Sequence, residues 1–211
     1  MARRTKEDAN ATRTRLIDAA ESVFLQKGVS RASLNDIARA AGATRGAIYW
    51  HFKDKVDLFG AMMDRVTLPL EQEFIGVDPS VHTDPVQRLR AVMAIVLGSL
   101  TQDERTRKVF EIALYKVEYV DDLMGLRERH LAACDAFTSR LAVDFELAAS
   151  QFGVRLPVTP AEAAIGFHAV FDGLIRNWIL GGGRFDLRML GVASTDAYLL
   201  GLGLPIVRAP I

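Results

Sequence analysis

The chain has 211 residues, half of them hydrophobic, which is enough to bury a sizeable core in one large or two small domains. Its single cysteine, Cys134, cannot form an internal disulfide, and no Cys/His set has the spacing of zinc ligands. We therefore expect a reduced, cytoplasmic protein without metal or other cofactor. No stretch approaches the roughly 18 continuous apolar residues of a membrane span, so no membrane partner is expected.

The charge is unevenly distributed, although the 26 basic and 26 acidic side chains balance over the whole chain. Residues 1–65 contain 12 Lys/Arg and 8 Asp/Glu, which leaves 14 and 18 for the rest, so the two parts carry +4 and −4. This asymmetry favours a polyanion as the partner of the amino-terminal part. An excess of four charges is also common on an ordinary solvated surface.

Apolar residues recur at spacings of three and four along the whole chain, which predicts an all-α fold of about nine helices without strands. A first helix carries an apolar stripe from Leu16 to Phe24 and ends before Gly28. Ser33 is placed to cap a second helix, which Gly42 breaks, and Thr44 to cap a third, which runs to about Trp50. These three helices predict a small amino-terminal domain, residues 1–55.

The remaining residues, 56–211, predict a larger helical domain. Thr159, Pro160 and Glu162 form the best-marked helix start in the chain, a capping box with proline in the first turn. Loops are predicted at 76–84 and 153–158, where glycine and proline interrupt the pattern. The predicted helices cover about 54–75, 85–100, a shorter segment through Phe110 and Leu114, 121–152, 160–180 and 186–203.

The second and third helices, with a glycine in the turn between them, have the arrangement of a helix-turn-helix, whose second helix enters the major groove of DNA. On that helix Arg45 and Tyr49 share one face, and Arg45 has the chemistry to bind the O6 and N7 edge of guanine. Gly46 costs the helix about 1 kcal/mol relative to alanine, which indicates a close approach by a phosphate backbone. The alternative is that the aromatic run from Tyr49 only closes a small core, and for Phe52 we predict that.

The segment that carries the strongest resemblance is SLNDIARAAGATRGAIYWHFKDK, residues 33–55. It is similar to the signature of the TetR family of transcriptional repressors, and its TRGAIYWHF string is typical of the AcrR-like branch of multidrug-efflux regulators. The resemblance extends upstream through RRTKEDANATRTRLIDAAESVF and returns at DERTRKVFEIALYK and FDGLIRNWIL. It implies a homodimer that places two recognition helices about one DNA turn (~34 Å) or somewhat more apart on a near-palindromic operator.

The positions that match the family's DNA contacts follow from this resemblance. Arg45 and Tyr49 are the two that the helical spacing also favours. Arg3 and Arg4 are implied as a flexible arm that also contacts DNA. The full set of expected DNA-binding residues is Arg3, Arg4, Ser33, Thr44, Arg45, Gly46, Tyr49, His51 and Lys55.

A ligand pocket is expected in the second domain. His168, Asp172 and Arg176 follow one another at four-residue steps and so share a helix face. The alternative for them is a core histidine beside an ordinary Asp–Arg pair. The resemblance implies a pocket for bulky hydrophobic inducers, lined by Val66, Leu70, Leu89, Val92, Met93, Val96, Phe110, Ala113, Leu114, Phe137, Leu141, His168, Phe171, Asp172 and Arg176.

The last two predicted helices carry more apolar side chains than a solvent-facing pair should expose, which favours a self-associating face. The alternative is that these side chains pack within the monomer. The residues expected in the dimer interface are Trp178, Ile179, Leu190, Tyr198, Leu199 and Leu202.

The expected function is a ligand-responsive repressor of a multidrug efflux operon that is released from double-stranded operator DNA by hydrophobic compounds. An enzyme is not expected, because the sequence contains no GxSxG, HExxH or GxxxxGK[ST] motif. A DNA-independent carrier of hydrophobic ligands is one alternative, although it leaves the Arg45, Gly46 and Tyr49 face unused. An activator or a constitutive DNA binder of the same fold is the other.

Overall fold

The computed structural model describes residues 2–75, 84–119 and 123–206, without the side chains of residues 2–5, 71 and 73–75. Within these ranges the chain forms nine α-helices and no strand, which confirms the predicted all-α fold. The helices are α1 Ala2–Lys27, α2 Leu34–Ala40, α3 Arg45–His51, α4 Lys55–Ile75, α5 Pro85–Gln102, α6 Glu104–Tyr115, α7 Met124–Phe152, α8 Pro160–Leu180 and α9 Leu187–Gly201.

The chain divides into two compact units. Unit 1 comprises Met1–Leu68 and Arg105–His130, and unit 2 comprises Pro69–Glu104 and Leu131–Ile211. Helices α4 and α7 therefore contribute residues to both units. The domain boundary placed after residue 55 from the sequence stays a prediction.

Unit 1 is built on the apolar stripe of α1. Leu16, Ala20 and Phe24 are fully buried there, and α1 packs on α2, which packs on α3. Residues from α4, α6 and the start of α7 belong to the same core, for example Leu58, Val109 and Leu126. The core of the first three helices is thus completed by residues that come much later in the sequence.

Several predicted helix boundaries are confirmed. Ser33 and Thr44 cap α2 and α3, and the capping box of Thr159 and Glu162 opens α8 with Pro160 in its first turn. Helix α1 begins at Ala2, fourteen residues before the first residue of the predicted stripe (16 minus 2). Its amino-terminal part is polar, so hydrophobic periodicity had no signal there.

Two predictions fall on residues outside the described ranges. They are most of the loop at 76–84 and the beginning of the long helix at 121. None of the described helices has the length and hydropathy of a membrane-spanning segment.

Unit 2 is organised around α9, which packs on both α5 and α8. At Gly191 a Cβ atom would collide with the side chain of Leu97, so glycine is what allows α5 and α9 to approach closely. Arg90 of α5 makes a two-pronged ion pair with Asp196 of α9, with Nε–Oδ1 2.7 Å and Nη2–Oδ2 3.2 Å. Phe145 and Phe167 pack edge to face at 5.8 Å between ring centroids, which joins α7 to α8.

Candidate nucleic-acid interface and ligand-binding residues

Helix α2 is held at its start by a reciprocal cap. Ser33 Oγ accepts a hydrogen bond from the Asp36 backbone N–H (3.1 Å), while the Ser33 backbone N–H donates to Asp36 Oδ2 (3.2 Å). The Ser33 hydroxyl also donates to Asp36 Oδ2 at 2.8 Å. Ser33, a predicted DNA contact, therefore already has a local role in the helix cap.

Asp36 also ties α2 to α1, through Lys27 Nζ at 3.2 Å from its Oδ1. The hydrogen bonds from Ser33, then the one from Lys27, lower the pKa of the Asp36 carboxyl to about 2. The charged carboxylate is thus the form that the folded helix pair stabilises.

The turn between α2 and α3 is tight because Gly42 adopts a positive φ of 64°. Thr44 Oγ1 then accepts from the Ala47 backbone N–H at 3.1 Å and caps α3. The inward face of α3 buries Ile48, and Phe52, which follows its last turn, is 1% exposed. Phe52 is the core residue that the sequence predicted.

The outward face of α3 exposes its aromatic residues. Tyr49 is 49% exposed and Trp50 73% exposed, an unusual state for large side chains that could have closed the core. The Arg45 guanidinium carbon lies 5.8 Å from the centroid of the Tyr49 ring, so the two residues form one surface. This surface combines a multiple hydrogen-bond donor with flat apolar rings.

Gly46 lies on the same exposed helix, and none of the residues that the structure describes requires a glycine there. A Cβ added at this position would meet only Thr44 Oγ1, at 3.9 Å. Its backbone φ is not positive either. The described residues therefore leave space beside Gly46 that another molecule can occupy.

His51 ends α3 and contacts Trp50 edge to face, with ring centroids 4.5 Å apart. Burial, and next the positive charge of Arg13, lower the pKa of His51. Arg13 itself lies over the Phe52 ring, with its guanidinium carbon 5.1 Å from the centroid. Arg13 was not predicted as a site residue. It lies three residues before Leu16 and four before Ile17, and this helical spacing was the signal available in the sequence.

Lys55 has a structural position in unit 1. Its Nζ donates to the backbone carbonyls of Ser30 (2.9 Å) and Ala32 (3.0 Å) in the α1–α2 connection. Its expected contact with DNA stays a prediction. Arg3 and Arg4 lie in the first turns of α1, and their side chains are outside the described set.

A cluster of four charged side chains joins α1 to α4 and α6. Asp18 Oδ1 accepts from Arg65 (2.8 Å) and Arg105 (3.0 Å), and Glu21 lies 3.4 Å from each of the same arginines. Glu21 is 9% exposed, and its burial raises the pKa of the carboxyl against the opposing effect of Arg105 and Arg65. The cluster was not found from the sequence, because its members are distant along the chain.

The residues predicted to line a ligand pocket are divided between the two units. Val66, Phe110, Ala113 and Leu114 belong to unit 1, and all the others belong to unit 2. In unit 2 the α5 residues Leu89, Met93 and Val96 are buried, as are Leu70, Leu141 and Phe171. Their common role as a pocket stays a prediction.

Three of the predicted ligand residues form an aromatic cluster between α7 and α8. The His168 ring lies 5.6 Å from that of Phe137 and 6.3 Å from that of Phe171, and Phe137 and Phe171 are 6.0 Å apart. Asp172 accepts a hydrogen bond from Arg176 Nε, the ordinary helix pair that the sequence left open as an alternative. Burial and the nearby Asp172 raise the pKa of the Cys134 thiol beside them.

A separate open cavity of about 240 Å³ lies between α5 and α9. None of the predicted ligand residues lines it. It is bordered by the Arg90–Asp196 ion pair and by the small side chains of Ala91, Ala94, Val192 and Thr195.

Among the predicted dimer residues, Trp178, Leu199 and Leu202 are buried within unit 2 itself. The Trp178 indole N–H donates to the Phe185 carbonyl (3.1 Å), and the Tyr198 hydroxyl donates to the Ala163 carbonyl (2.8 Å). Their position favours the alternative of packing within the monomer for these four residues. Leu190, a predicted dimer residue, is exposed, and the other exposed large apolar side chains of α8 and α9 are Ile165, Leu180, Met189, Val192 and Leu200.

Comparison with known proteins agrees with this arrangement. Residues 16–62 match the sequence model of bacterial regulatory proteins of the tetR family, and residues 84–203 match the carboxyl-terminal region of MAATS-type transcriptional repressors. The chain is 36% identical over 189 residues to the HTH-type transcriptional regulator TtgR of Pseudomonas putida, covering 89% of both chains.

Two solved structures extend the comparison to the fold. NalD, the secondary repressor of the MexAB-OprM multidrug efflux pump in Pseudomonas aeruginosa, is 35% identical with a TM-score of 0.83, over 93% of this chain and 98% of that one. SmeT, the repressor of the Stenotrophomonas maltophilia multidrug efflux pump SmeDEF, has been solved in complex with triclosan. That complex is 34% identical with a TM-score of 0.79, over 95% of this chain and 99% of that one.

Proposed function

This chain belongs to the tetR family of bacterial regulatory proteins, and from that premise we propose that it represses transcription by binding a near-palindromic operator as a homodimer. The observation that carries the proposal is the exposed face of α3, where Arg45, Tyr49 and Trp50 face away from the core. A helix with a buried Ile48 and an exposed guanidinium and rings fits the major groove, which admits one helix. Such a regulator acts where the chromosome is, in the cytoplasm, and not as an enzyme.

Within this interface we assign separate roles. Arg45 reads a base edge, most often guanine, while Thr44, Tyr49 and His51 position the helix on the phosphate backbone. Gly46 lets that backbone approach closely. Ser33 caps α2 and also contacts a phosphate. Lys55, at the start of α4, binds the Ser30 carbonyl and also contacts a phosphate.

The dimer is proposed to form through α8 and α9. Leu180 (73% exposed), Met189 (70%) and Ile165 (60%) are large apolar side chains on the surface of unit 2. Covering them with the same face of a second copy forms an isologous interface, as a two-fold dimer requires. Residues 1–55 serve as the DNA-binding domain and residues 56–211 as the ligand-binding and dimerisation domain.

The proposed inducer is a bulky hydrophobic compound, and the proposed target is an efflux-pump operon. The repressors NalD and SmeT control such pumps, and SmeT binds triclosan. In this chain the aromatic cluster of Phe137, His168 and Phe171 offers flat apolar rings beside a charged pair, the composition of a small-molecule site. An inducer that binds one conformer better shifts the population away from the DNA-binding one.

The test is a titration of labelled DNA from upstream of the protein's own gene, at several salt concentrations, beside a duplex of scrambled sequence. Wild-type protein should prefer the upstream duplex with a steep salt dependence, and triclosan or a similar compound should release it. Arg45→Ala should lose about 1–3 kcal/mol of discrimination between the two duplexes for each half-site that the dimer contacts. Absence of binding even at low salt would overturn the repressor proposal and favour a DNA-independent carrier of hydrophobic ligands.

A further inference from the structure

Arg13 is placed beside the recognition helix by a contact with its carboxyl-terminal end. The guanidinium carbon lies 5.1 Å from the centroid of the Phe52 ring, and Phe52 is the residue that terminates α3. The ring is almost completely buried, so its position is fixed by the core of unit 1. The Arg13 guanidinium thereby lies over a buried ring at the end of α3, although Arg13 belongs to a different helix, α1.

The charge of Arg13 has no counter-ion in the part of the chain that the structure describes. Its side chain is exposed, and neither a hydrogen bond nor an ion pair joins it to another described residue. A ring face attracts the cation but accepts none of the in-plane N–H donors of a guanidinium. Those donors remain available to an anion with oxygen acceptors, such as a phosphate.

The basic groups near α3 include Arg13 and Arg45. Burial, and next the charge of Arg13, lower the pKa of His51, which favours its neutral imidazole. Arg45 lies at the opposite end of α3, about 10 Å away along a helix of seven residues. The α3 surface therefore has a guanidinium at each end, and only the one at the amino-terminal end lies on the helix that reads the bases.

We propose that Arg13, stacked on Phe52, is a further DNA-contacting residue that binds a backbone phosphate beside the carboxyl-terminal end of α3. This inference rests on the proposed repressor function. Because a phosphate contact is independent of sequence, Arg13 adds affinity for any duplex and fixes the register of α3, while Arg45 supplies the discrimination.

The experiment compares Arg13→Met with the wild type on the upstream duplex and on the scrambled duplex, across a range of salt concentrations. Loss of one phosphate contact in each protomer, two per dimer, should reduce the slope of log K against log salt by about 1.8 and weaken binding to both duplexes about sixtyfold near ~0.1 M salt. Arg13→Lys keeps the charge and should keep the slope. Arg15→Met is the matched control, since Arg15 lies on the same helix and donates to Thr12 instead, and it should leave the slope unchanged.

The unfolding midpoint of each variant is measured in parallel. If Arg13→Met does not fold, Arg13→Gln replaces it, because a neutral planar amide retains the stacking on Phe52 without the charge. An unchanged salt slope in the folded neutral variant, or a loss confined to the upstream duplex, would overturn the phosphate contact while leaving the repressor function intact. If the wild type binds neither duplex, both proposals fail.

Discussion

At the scale of single residues, Gly46 is a position where we expect alanine to be tolerated by the fold but to weaken DNA binding. Among the described residues the nearest contact of an added Cβ is Thr44 Oγ1 at 3.9 Å, so Gly46→Ala should fold and gain up to about 1 kcal/mol in the free energy of unfolding. The same methyl group would stand between α3 and a closely approaching phosphate backbone. We expect DNA affinity to fall about tenfold or more, measured by fluorescence anisotropy.

The control for this substitution is Gly98→Ala in α5, where an added Cβ meets no described atom within 4 Å. It should raise the stability of the protein in the same way and leave the affinity for DNA unchanged. If Gly46→Ala binds the upstream duplex as tightly as the wild type, the close approach at this position is wrong.

The second prediction at this scale concerns the Asp36 cap and pH. The folded state lowers the pKa of this carboxyl from 3.8 to about 2, so the cap contributes stability above about pH 3.8 and loses it as the pH falls towards 2. Asp36→Asn removes the titration. We expect the difference in urea midpoint between wild type and variant to shrink as the pH is lowered from 5 to 3.

Asp8→Asn is a suitable control, because Asp8 is exposed on α1 and accepts the hydrogen bond from Thr12 through its backbone carbonyl. The difference in urea midpoint between Asp8→Asn and the wild type should not change with pH in the way that the difference for Asp36→Asn does. Parallel pH profiles for the wild type and Asp36→Asn would contradict the assigned cap.

At the scale of elements, the cluster between α1, α4 and α6 depends on the balance of charges around Glu21. Arg65 is the less exposed of its two arginine partners (22% against 47% for Arg105). Arg65→Met leaves a buried carboxylate with less compensation and should reduce the free energy of unfolding by about 2 kcal/mol. The double variant Arg65→Met/Glu21→Gln removes both charges and should recover most of that loss in chemical denaturation.

Arg105→Met provides the comparison within the same cluster. Arg105 lowers the pKa of Glu21 more than Arg65 does, but its side chain is better solvated, and we expect this solvation to make the loss of stability smaller. If the double variant is no more stable than Arg65→Met alone, the loss of stability in Arg65→Met does not come from the buried charge of Glu21.

The helix starts were predictable because their signals are local. Ser33, Thr44 and Thr159 each cap within three residues of their own position, and such a cap is visible in sequence. For α2 the structure adds the reciprocal half of the cap, in which the Ser33 backbone N–H donates to the Asp36 carboxylate. The long polar beginning of α1 was missed, because nothing in it has an apolar period.

At the scale of the whole molecule, the proposed dimer makes a prediction about the exposed face of α9. Met189 and Leu200 are 70% and 55% exposed and lie eleven residues apart, which places them on one side of the helix. Replacing both with glutamate should raise the dimer dissociation constant about a hundredfold or more, because charges are depleted from interface cores. Sedimentation analysis measures this, and affinity for the two-fold operator should fall with it.

Val143→Glu serves as the control, since Val143 is 55% exposed on α7, outside the α8 and α9 surface. It should leave the association state unchanged. A double variant that sediments as the wild type does would exclude this face from the interface.

The tertiary arrangement was less predictable than the helices. Periodicity identified the apolar face of α8 and α9, but it does not distinguish side chains covered by the same chain from those covered by a second copy. Trp178 and Leu199 are covered within unit 2, whereas Met189, which was not predicted, is exposed. Lys55 was equally ambiguous, because its two carbonyl partners lie 25 and 23 residues earlier in the chain.

The shared core of unit 1 limits how this protein can be recombined with its relatives. Leu58, Met62 and Ile112 are fully buried in the core that also contains Leu16 and Phe24 of α1. A fragment cut after residue 55 would leave that core without part of its packing. A chimera that exchanges operator specificity should therefore transplant residues 105–130 together with the first 68, as one discontinuous graft.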